Sequence, residues 1–356
     1  MLISSLKLQN WRSHKNLDFK FNDITVLSGP NAIGKTNLLE AVYYISTGRS
    51  FRAKDGNLIG WGESFSRIEA ELGIGQTREV AVILENVDKR IRKTIKVNDQ
   101  KIASSKLLGE LNSVIFTPEE IELIASLPEA RRRYLNLTIS QTDRKYAYNL
   151  LHYKKVLEQR NSLLKRIRDG LAKEEELEVW DGKFAEYAEY LVLARAEYIK
   201  KINKTLGAHY HELSGEIAGL KLVYYPSIDP SGGWSGIVLS LAESRQDDVF
   251  SKVTTKGPHR DDFAFQIDGK NVLTFASRGE LRTVILALKL AELDFMEARI
   301  GHRPLLLLDD VYSELDENRR NLLSQILAKQ QTIITTTDLD HISKNVLAEA
   351  KIVELK

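Results

Sequence analysis

The sequence GPNAIGKT at residues 29–36 fits the pattern G-x-x-x-x-G-K-[ST], a glycine-rich loop that binds phosphate groups. The β-branched run at residues 23–28 predicts a strand before it, and the apolar spacing of residues 37–45 predicts a helix after it. In that context, backbone N–H groups and the positive end of the helix dipole face the anion. The stretch therefore predicts a nucleotide-binding loop between a strand and a helix.

Each residue type in this loop has a chemical role. Lys35 would reach the β- and γ-phosphates of a nucleoside triphosphate such as ATP, and the Thr36 hydroxyl would ligate Mg²⁺. The expected nucleotide contacts at this loop are Gly29, Pro30, Asn31, Ala32, Ile33, Gly34, Lys35, Thr36 and Asn37.

Composition and charge narrow the classes of protein to which the chain can belong. It has no cysteine, which excludes disulfides and thiolate metal sites. The N-terminus lacks the apolar run of a signal peptide, and no stretch approaches the roughly 20 apolar residues of a membrane span. With 51 basic and 49 acidic residues the net charge is +2, so nucleic-acid binding would depend on local basic patches. We expect a soluble, cytoplasmic protein of about two domains, without membrane association.

The chain has a strand-rich first third, a helical middle and an alternating last third. Residues 146–167 and 177–198 carry apolar side chains at 3-4 spacing, with a break at Arg160 and a stop at residues 169–170. Two such helices would pack antiparallel, either as a protruding arm or within an ordinary helical domain. We therefore predict that residues 119–249 form a helical lobe, inserted into a core made of residues 1–118 and 250–356.

A phosphate loop needs a carboxylate partner at the end of a neighbouring buried strand. The run LLLLDD at residues 305–310 has that form, with a continuous apolar strand followed by Asp309 and Asp310. Asp309 would bind Mg²⁺ directly or through water, and Asp310 would orient or deprotonate the attacking water. Because this strand is far along the chain from Lys35, both ends of the sequence would assemble one nucleotide site.

A second anion-binding feature precedes that strand. The segment SRGELR at residues 277–282 opens a predicted helix at residues 279–299, and a serine-glycine pair at a helix N-terminus favours anions. The segment SELD at residues 313–316 follows the Asp-Asp pair, and TTTD at residues 335–338 ends the next predicted strand. One phosphate loop and one separate anion-binding helix end in a single chain suit reciprocal use across a two-fold axis.

In this order the segments resemble the ABC-type ATPases of DNA repair and chromosome maintenance, and within them the RecF family of bacterial recombination mediators. The segments that carry the resemblance span nearly the whole chain: NWR at 10–12, GPNAIGKTNLLEA at 29–41, TGRSFR at 47–52, TPE at 117–119, RRRYL at 131–135, KGPHRDD at 256–262, and residues 307–316. The resemblance implies an α/β fold: an ABC-type ATPase head with a mixed sheet around the P loop, an antiparallel β subdomain, and an inserted helical lobe that contains an antiparallel helical arm.

The resemblance also implies catalytic roles. Lys35, Asp309 and Asp310 would be catalytic, and Thr36 and Asp309 would hold the metal. The expected activity is weak, Mg²⁺-dependent and DNA-stimulated ATP hydrolysis.

Other residues are implied to act on the γ-phosphate. Ser277, Gly279 and Arg282 would contact the nucleotide held by a second copy of the chain, so that ATP binding drives homodimerisation. Thr337 or Asp338 fills the position of the switch residue that senses the γ-phosphate.

Some positions leave alternatives open or depart from the family pattern. Arg12 and Ser13 either reach the nucleotide or form a plain β-turn. Glu119 lies where a loop of related ATPases supplies a Mg²⁺ or water contact. Glu280 and Leu281 replace two glutamines of the signature loop, which puts polar contacts across the subunit boundary in doubt.

The implied partners are duplex DNA, in particular gapped DNA and junctions of duplex with single strand, and the RecR protein together with RecO. Basic clusters at residues 89–93, 131–133 and 154–155 are candidate backbone contacts or plain solvated faces. The implied process is RecA loading in recombinational repair, within DNA replication and the SOS response to DNA damage. His259, Asp261 and Asp262 suggest either a structural turn or a second metal site.

Three other classes of protein share part of this pattern. The ATPase subunit of a membrane transporter would share the phosphate loop and signature, but not the helical insert. A structural chromosome-maintenance protein would have longer arms and a hinge. A repair or antiphage ATPase that works with a nuclease domain would need that domain elsewhere.

Overall fold

The structure, a computed structural model, describes residues 2–73, 77–118, 128–216 and 219–355. The strands are β1 (Ile3–Trp11), β2 (His14–Lys20), β3 (Ile24–Ser28), β4 (Phe65–Leu72), β5 (Arg78–Val87), β6 (Arg90–Val97), β7 (Gln100–Ile102), β8 (Ser113–Phe116), β9 (Lys221–Tyr225), β10 (Asp262–Ile267), β11 (Lys270–Asn271), β12 (Leu305–Asp309), β13 (Thr332–Thr336) and β14 (Lys351–Glu354). The α-helices are α1 (Lys35–Thr47), α2 (Pro128–Thr142), α3 (Arg144–Arg168), α4 (Leu177–Ile202), α5 (Leu206–Ser214), α6 (Gly233–Glu243), α7 (Arg245–Ser251), α8 (Arg278–Ile300), α9 (Glu317–Leu327) and α10 (Lys344–Glu349).

These elements form two compact units. One comprises Met1–Glu120, Glu212–Gly215 and Ile285–Lys356, and the other comprises Ile121–His211 and Glu216–Val284. None of the helices in the described ranges has the length and apolar composition needed to cross a bilayer.

A five-stranded sheet in the first unit positions the phosphate loop. Its order is β14-β3-β13-β12-β8, and every pairing in it is parallel. All residues of β3, β12 and β13 are buried, which explains why their sequences are continuous apolar or β-branched runs. Because parallel strands end at the same edge, the residues that follow β3, β12 and β13 lie side by side there.

The antiparallel β subdomain predicted from the sequence is a second sheet of the same unit. Its order is β2-β1-β4-β5-β6-β7, with antiparallel pairing throughout. The predicted mixture of parallel and antiparallel pairing is thus divided between two sheets, and the strands around the P loop pair in parallel.

Two long helices dominate the second unit and pack antiparallel. Tyr190 in the middle of α4 donates to Asp143 at the start of α3 (2.9 Å), and Arg160 in the second half of α3 pairs with Asp181 near the start of α4 (2.7 Å). Arg160 is fully buried and also pairs with Asp248 of α7 at 2.7 Å. The apolar spacing of α3 therefore breaks at Arg160 because a buried charge there is neutralised by two carboxylates.

Residues 250–284 differ from the predicted domain division. The sequence grouped them with the ATPase core, but they pack in the second unit. The physical reason is strand pairing, because β10 pairs antiparallel with β9 over five residues and also with β11. Helix α8 begins in this unit and ends in the first.

Candidate nucleotide-binding site

The phosphate loop is shaped by close approaches that leave no room for side chains. A Cβ at Gly34 would lie 2.8 Å from Cε1 of His14, and a Cβ at Gly29 would lie 2.7 Å from the carbonyl oxygen of Leu355. Gly34 also has φ 108° and caps the N-terminus of α1, a conformation that L-residues with side chains rarely adopt. The two glycines of the pattern are therefore required by the fold of this chain.

The Lys35 ammonium is enclosed by its own loop. Its Nζ donates to the carbonyl oxygens of Gly29 at 2.6 Å and Pro30 at 2.9 Å, and the residue is 7% exposed. Burial lowers the pKa of Lys35, although nearby Asp310 and Asp309 act in the opposite direction. The loop thus holds a cation at the centre of its backbone curve, which suits an anionic ligand.

The Thr36 hydroxyl and the Asp309 carboxylate, predicted to share a metal, are in contact. Thr36 Oγ1 donates to Asp309 Oδ1 at 2.8 Å, and Thr335 Oγ1 donates to the same oxygen at 2.7 Å. The register of β12 and β13 explains this geometry, because Asp309 and Thr335 are paired residues of neighbouring strands. The two ends of the chain therefore meet at this point, as the sequence predicted.

Asp310 has a carboxylate oxygen without a hydrogen-bond partner among the described residues. Its backbone N–H donates to the carbonyl and hydroxyl oxygens of Thr335 at 3.1 and 3.0 Å, and its φ is 52°. Its Oδ1 is buried and accepts no hydrogen bond within those residues. Since buried polar atoms are nearly always paired, this oxygen suits a ligand such as a positioned water.

The oxygens at this edge fit Mg²⁺ bound together with a nucleotide. Mg²⁺ binds through one or two protein oxygens, with phosphates and waters completing its shell. Thr36 and Asp309 supply a hydroxyl and a carboxylate of that kind. In the described part of the chain, no three His, Cys, Asp or Glu side chains cluster as an all-protein metal site.

The turn between β1 and β2 is bound to the start of α1. Arg12 donates to both carboxylate oxygens of Glu40 at 2.9 Å, and Ser13 Oγ accepts from Asn37 Nδ2 at 2.8 Å. Glu40 is fully buried, and burial opposes its ionisation, but hydrogen bonds that include those from Arg12 and Arg52 lower its pKa. Arg12 and Ser13 therefore form a turn docked beside the phosphate loop.

Glu40 and Arg52 were not predicted from the sequence; an acidic residue on the buried face of α1 was the available signal.

The predicted signature forms the N-terminus of α8. The Ser277 N–H donates to Glu280 Oε2 at 2.6 Å, and the Glu280 N–H donates to Ser277 Oγ at 3.3 Å. These reciprocal bonds are a capping box, and they lower the pKa of the Glu280 carboxyl. Glu280 thus caps its own helix at the position where the family pattern has glutamine. Gly279 and Arg282 lie in the first turns of α8.

The predicted switch residues follow β13 and are exposed. Asp338 Oδ1 accepts from the Asp340 N–H at 2.9 Å and so caps a short 3₁₀ turn at Leu339–His341. Thr336 Oγ1 donates to the Asp338 carbonyl at 2.7 Å. The Asp338 carboxylate, beside Thr337, thus accepts a hydrogen bond from its own turn.

Glu119 lies outside the described residues.

Comparison with known proteins identifies the family. The family model described as the RecF/RecN/SMC N terminal domain matches residues 2–353. The DNA replication and repair protein RecF of Bacillus cytotoxicus is 37% identical, over 100% of this chain and 97% of its own length. The chain belongs to the RecF family. The RecF protein of Lachnospira eligens is also 37% identical, over 97% of this chain and 95% of its own.

A solved RecF structure has the same fold. It is the recombination mediator protein RecF-ATP of the RecFOR pathway, with a TM-score of 0.89, 34% identity, and coverage of 94% of this chain and 92% of that one. The fold is therefore the ABC-type ATPase head that the sequence predicted, and the transporter subunit is set aside.

The KGPHRDD segment of this RecF-family chain is built into the second unit. Asp261 pairs with buried Arg195 at 2.7 Å, and Asp262 accepts two hydrogen bonds from Arg131 at 2.6 and 2.7 Å. Burial lowers the pKa of His259 to about 4, so its ring is neutral at pH 7. These ion pairs give Asp261 and Asp262 structural partners.

All three basic clusters contain exposed cations. Arg131 is committed to its ion pair, and Arg132 donates to the Asp261 carbonyl at 3.0 Å. Lys93 bonds the Gly48 carbonyl and pairs with Asp55, both at 2.8 Å. The exposed cations of the three clusters are Lys89, Arg90, Arg92, Arg133, Lys154 and Lys155.

Proposed function

We propose that this RecF-family chain is an ATP-dependent DNA clamp of recombinational gap repair. The observation that carries the proposal is the contact between Thr36 and Asp309, which brings the phosphate loop together with the Asp-Asp strand end. The likeness to the RecF-ATP structure supports ATP as the nucleotide. On this proposal ATP binding closes a homodimer on duplex DNA, and slow hydrolysis releases it.

In the proposed reaction the chain binds the phosphates and orients water. Backbone N–H groups of the loop and the Lys35 ammonium bind the β- and γ-phosphates. Thr36 and Asp309 would hold Mg²⁺, and the ion would neutralise part of the phosphate charge. Asp310 Oδ1 accepts a hydrogen bond from the attacking water and can take its proton.

Ser277 and Gly279 are proposed to bind the γ-phosphate held by a second copy. Ser277 is exposed at the positive end of a 23-residue helix. A Cβ at Gly279 would meet only Ser277 Oγ, at 3.9 Å, so packing among the described residues does not require glycine there. Glycine at position 279 would be required if a ligand from outside the chain approached the backbone closely. Arg282 follows on the next turn, and Thr337 or Asp338 would respond to the same phosphate.

Replacing Glu280 by glutamine is expected to strengthen ATP-dependent dimerisation about threefold to tenfold. The Glu280 carboxylate accepts the hydrogen bond of the Ser277 N–H, and it places a negative charge where the γ-phosphate would approach. Removing a like charge at such a partly exposed site is worth about 1 kcal/mol. The measurement is the dimer dissociation constant with ATP, by analytical ultracentrifugation. Glu317→Gln, at the start of α9, is the matched control. An unchanged or weaker dimer in the Glu280 variant would contradict the expectation.

DNA binding is proposed to use backbone contacts without base readout. The exposed cations at Lys89, Arg90 and Arg92 are candidates in the first unit, and Lys154 and Lys155 are candidates in the second. The proposed target is duplex DNA beside a gap or single-strand junction. The proposed partners are RecR with RecO, for RecA loading in the cytoplasm.

DNA affinity is expected to need ATP and to fall steeply with salt. Each phosphate neutralised by a basic side chain releases counterions, which gives a slope of about −0.9 in log affinity against log salt. The test is a gel shift of gapped duplex with ATP, with ADP and without nucleotide, across a salt series. Reversing the charge of Arg90 and Arg92 should flatten the slope, whereas reversing Lys20 and Lys221 serves as the control. DNA binding that is independent of nucleotide or of salt concentration would contradict the proposed clamp.

A further inference from the structure

Trp61 is a large aromatic residue held in solvent by a fixed turn. Its relative exposure is 103%. The turn is fixed because the Gly60 N–H donates to the Asn10 carbonyl at 2.7 Å and the Glu63 N–H donates to the Gly60 carbonyl at 3.0 Å. Gly62, the third residue of this turn, has φ 82°, in the left-handed region that favours glycine. The backbone beneath this indole ring is therefore ordered, although the ring itself is exposed.

The ring borders a cavity that is widely open to solvent and begins at the phosphate-binding helix. The cavity measures about 540 Å³ and is lined by Arg12, Ser13, Asn37, Arg52, Asn57 and Trp61, among others. Asn37 directly follows Thr36 in the first turn of α1, so the cavity adjoins the loop at residues 29–36. A volume of several hundred Å³ suits a small organic ligand such as a nucleoside.

The cavity walls suit a flat, polar ring system. Arg12 bonds Glu40 through two guanidinium nitrogens, which fixes its plane, and Arg52 contacts Glu40 through one nitrogen at 3.2 Å. Arg52 also donates to Asn37 Oδ1 at 2.6 Å. Indole and guanidinium faces both stack on nucleobases, and amide side chains bind ring edges.

We propose that Trp61 stacks on the base of the nucleotide whose phosphates bind at residues 29–36. The phosphates bind at the loop, and the nucleoside enters the adjoining cavity between Trp61 and the β1–β2 turn. This inference rests on the proposed ATP binding and adds the residue that would bind the base.

The test compares ATP with inorganic tripolyphosphate, both with Mg²⁺, by calorimetry on the whole chain. Trp61→Ala should weaken ATP binding about tenfold, as expected for loss of one stacked base, and leave tripolyphosphate binding unchanged. Trp61→Phe should stay within about threefold of wild type. Trp234→Ala is the matched control, because Trp234 is 47% exposed and lies in the other unit. ATP, but not tripolyphosphate, should quench tryptophan fluorescence in the wild type, and this quenching should be lost in Trp61→Phe.

The contrary results are distinct. Equal ATP affinity in Trp61→Ala and wild type would overturn the inference and leave phosphate binding at the loop intact. Equal loss of ATP and tripolyphosphate would assign Trp61 a structural effect on the loop and also overturn it. If Trp61→Ala binds a single-stranded oligonucleotide more weakly than wild type but binds ATP equally well, the ring contacts nucleic acid and not the base of the nucleotide. Failure of the wild type to bind either phosphate ligand would overturn both the proposed function and the inference.

Discussion

Replacing Asp310 by asparagine is expected to reduce ATP hydrolysis about 100- to 10,000-fold while leaving ATP binding nearly intact. Asp310 Oδ1 is buried without a hydrogen-bond partner in the described ranges, whereas Asp309 Oδ1 is engaged by Thr36 and Thr335. Asparagine keeps the shape of the side chain and removes its capacity to take a proton. Steady-state phosphate release measures hydrolysis, and equilibrium titration with ATP measures binding.

Two comparison variants make this result specific. Asp309→Asn should weaken Mg²⁺-dependent ATP binding as well as hydrolysis, because Asp309 contacts the Thr36 hydroxyl. Asp340→Asn changes an exposed carboxylate near the same edge of the sheet and should behave as wild type. Full hydrolytic activity in Asp310→Asn would remove Asp310 from the mechanism.

Replacing Ser277 by arginine is expected to abolish ATP-dependent dimerisation without weakening ATP binding. The long side chain would fill the exposed end of α8 that the γ-phosphate of a second copy must approach, and it would pair with Glu280. Loss of the helix cap costs only about 1 kcal/mol, too little to unfold the chain. Sedimentation velocity with saturating ATP measures the result.

The control for this variant is another serine at a helix start. Ser343 precedes α10 and makes no side-chain cap, so Ser343→Arg should dimerise normally. Mixing Ser277→Arg with Lys35→Ala should restore a heterodimer with one complete site, although neither variant dimerises alone. Unchanged dimers in Ser277→Arg would contradict the trans role.

Much of the fold and the main chemical groups were predictable from sequence. The loop at residues 29–36 lies between a strand and a helix as its pattern predicts, because glycine positions and apolar periodicity are local signals. The contact of Thr36 with Asp309 was predictable because buried parallel strands present their ends at one edge. The antiparallel pairing of α3 and α4 followed from two amphipathic helices joined by a short polar loop.

What sequence reasoning missed depended on contacts between distant residues. Buried charges such as Arg160 and Glu40 look like breaks in an apolar pattern until their partners are known. Residues 250–284 join the second unit through pairing of β10 with β9, which no local pattern specifies. The capping box of Ser277 and Glu280 is the exception, since its S-x-x-E spacing is a local signal that is visible in the sequence.

The proposed trans arrangement completes the ATP site only between two copies of this chain. Sedimentation velocity of the hydrolysis-deficient Asp310→Asn variant, with ATP, with ADP and without nucleotide, tests it most directly. We predict a dimer with ATP and a monomer in the other two conditions. The same mass in all three conditions would contradict the trans arrangement.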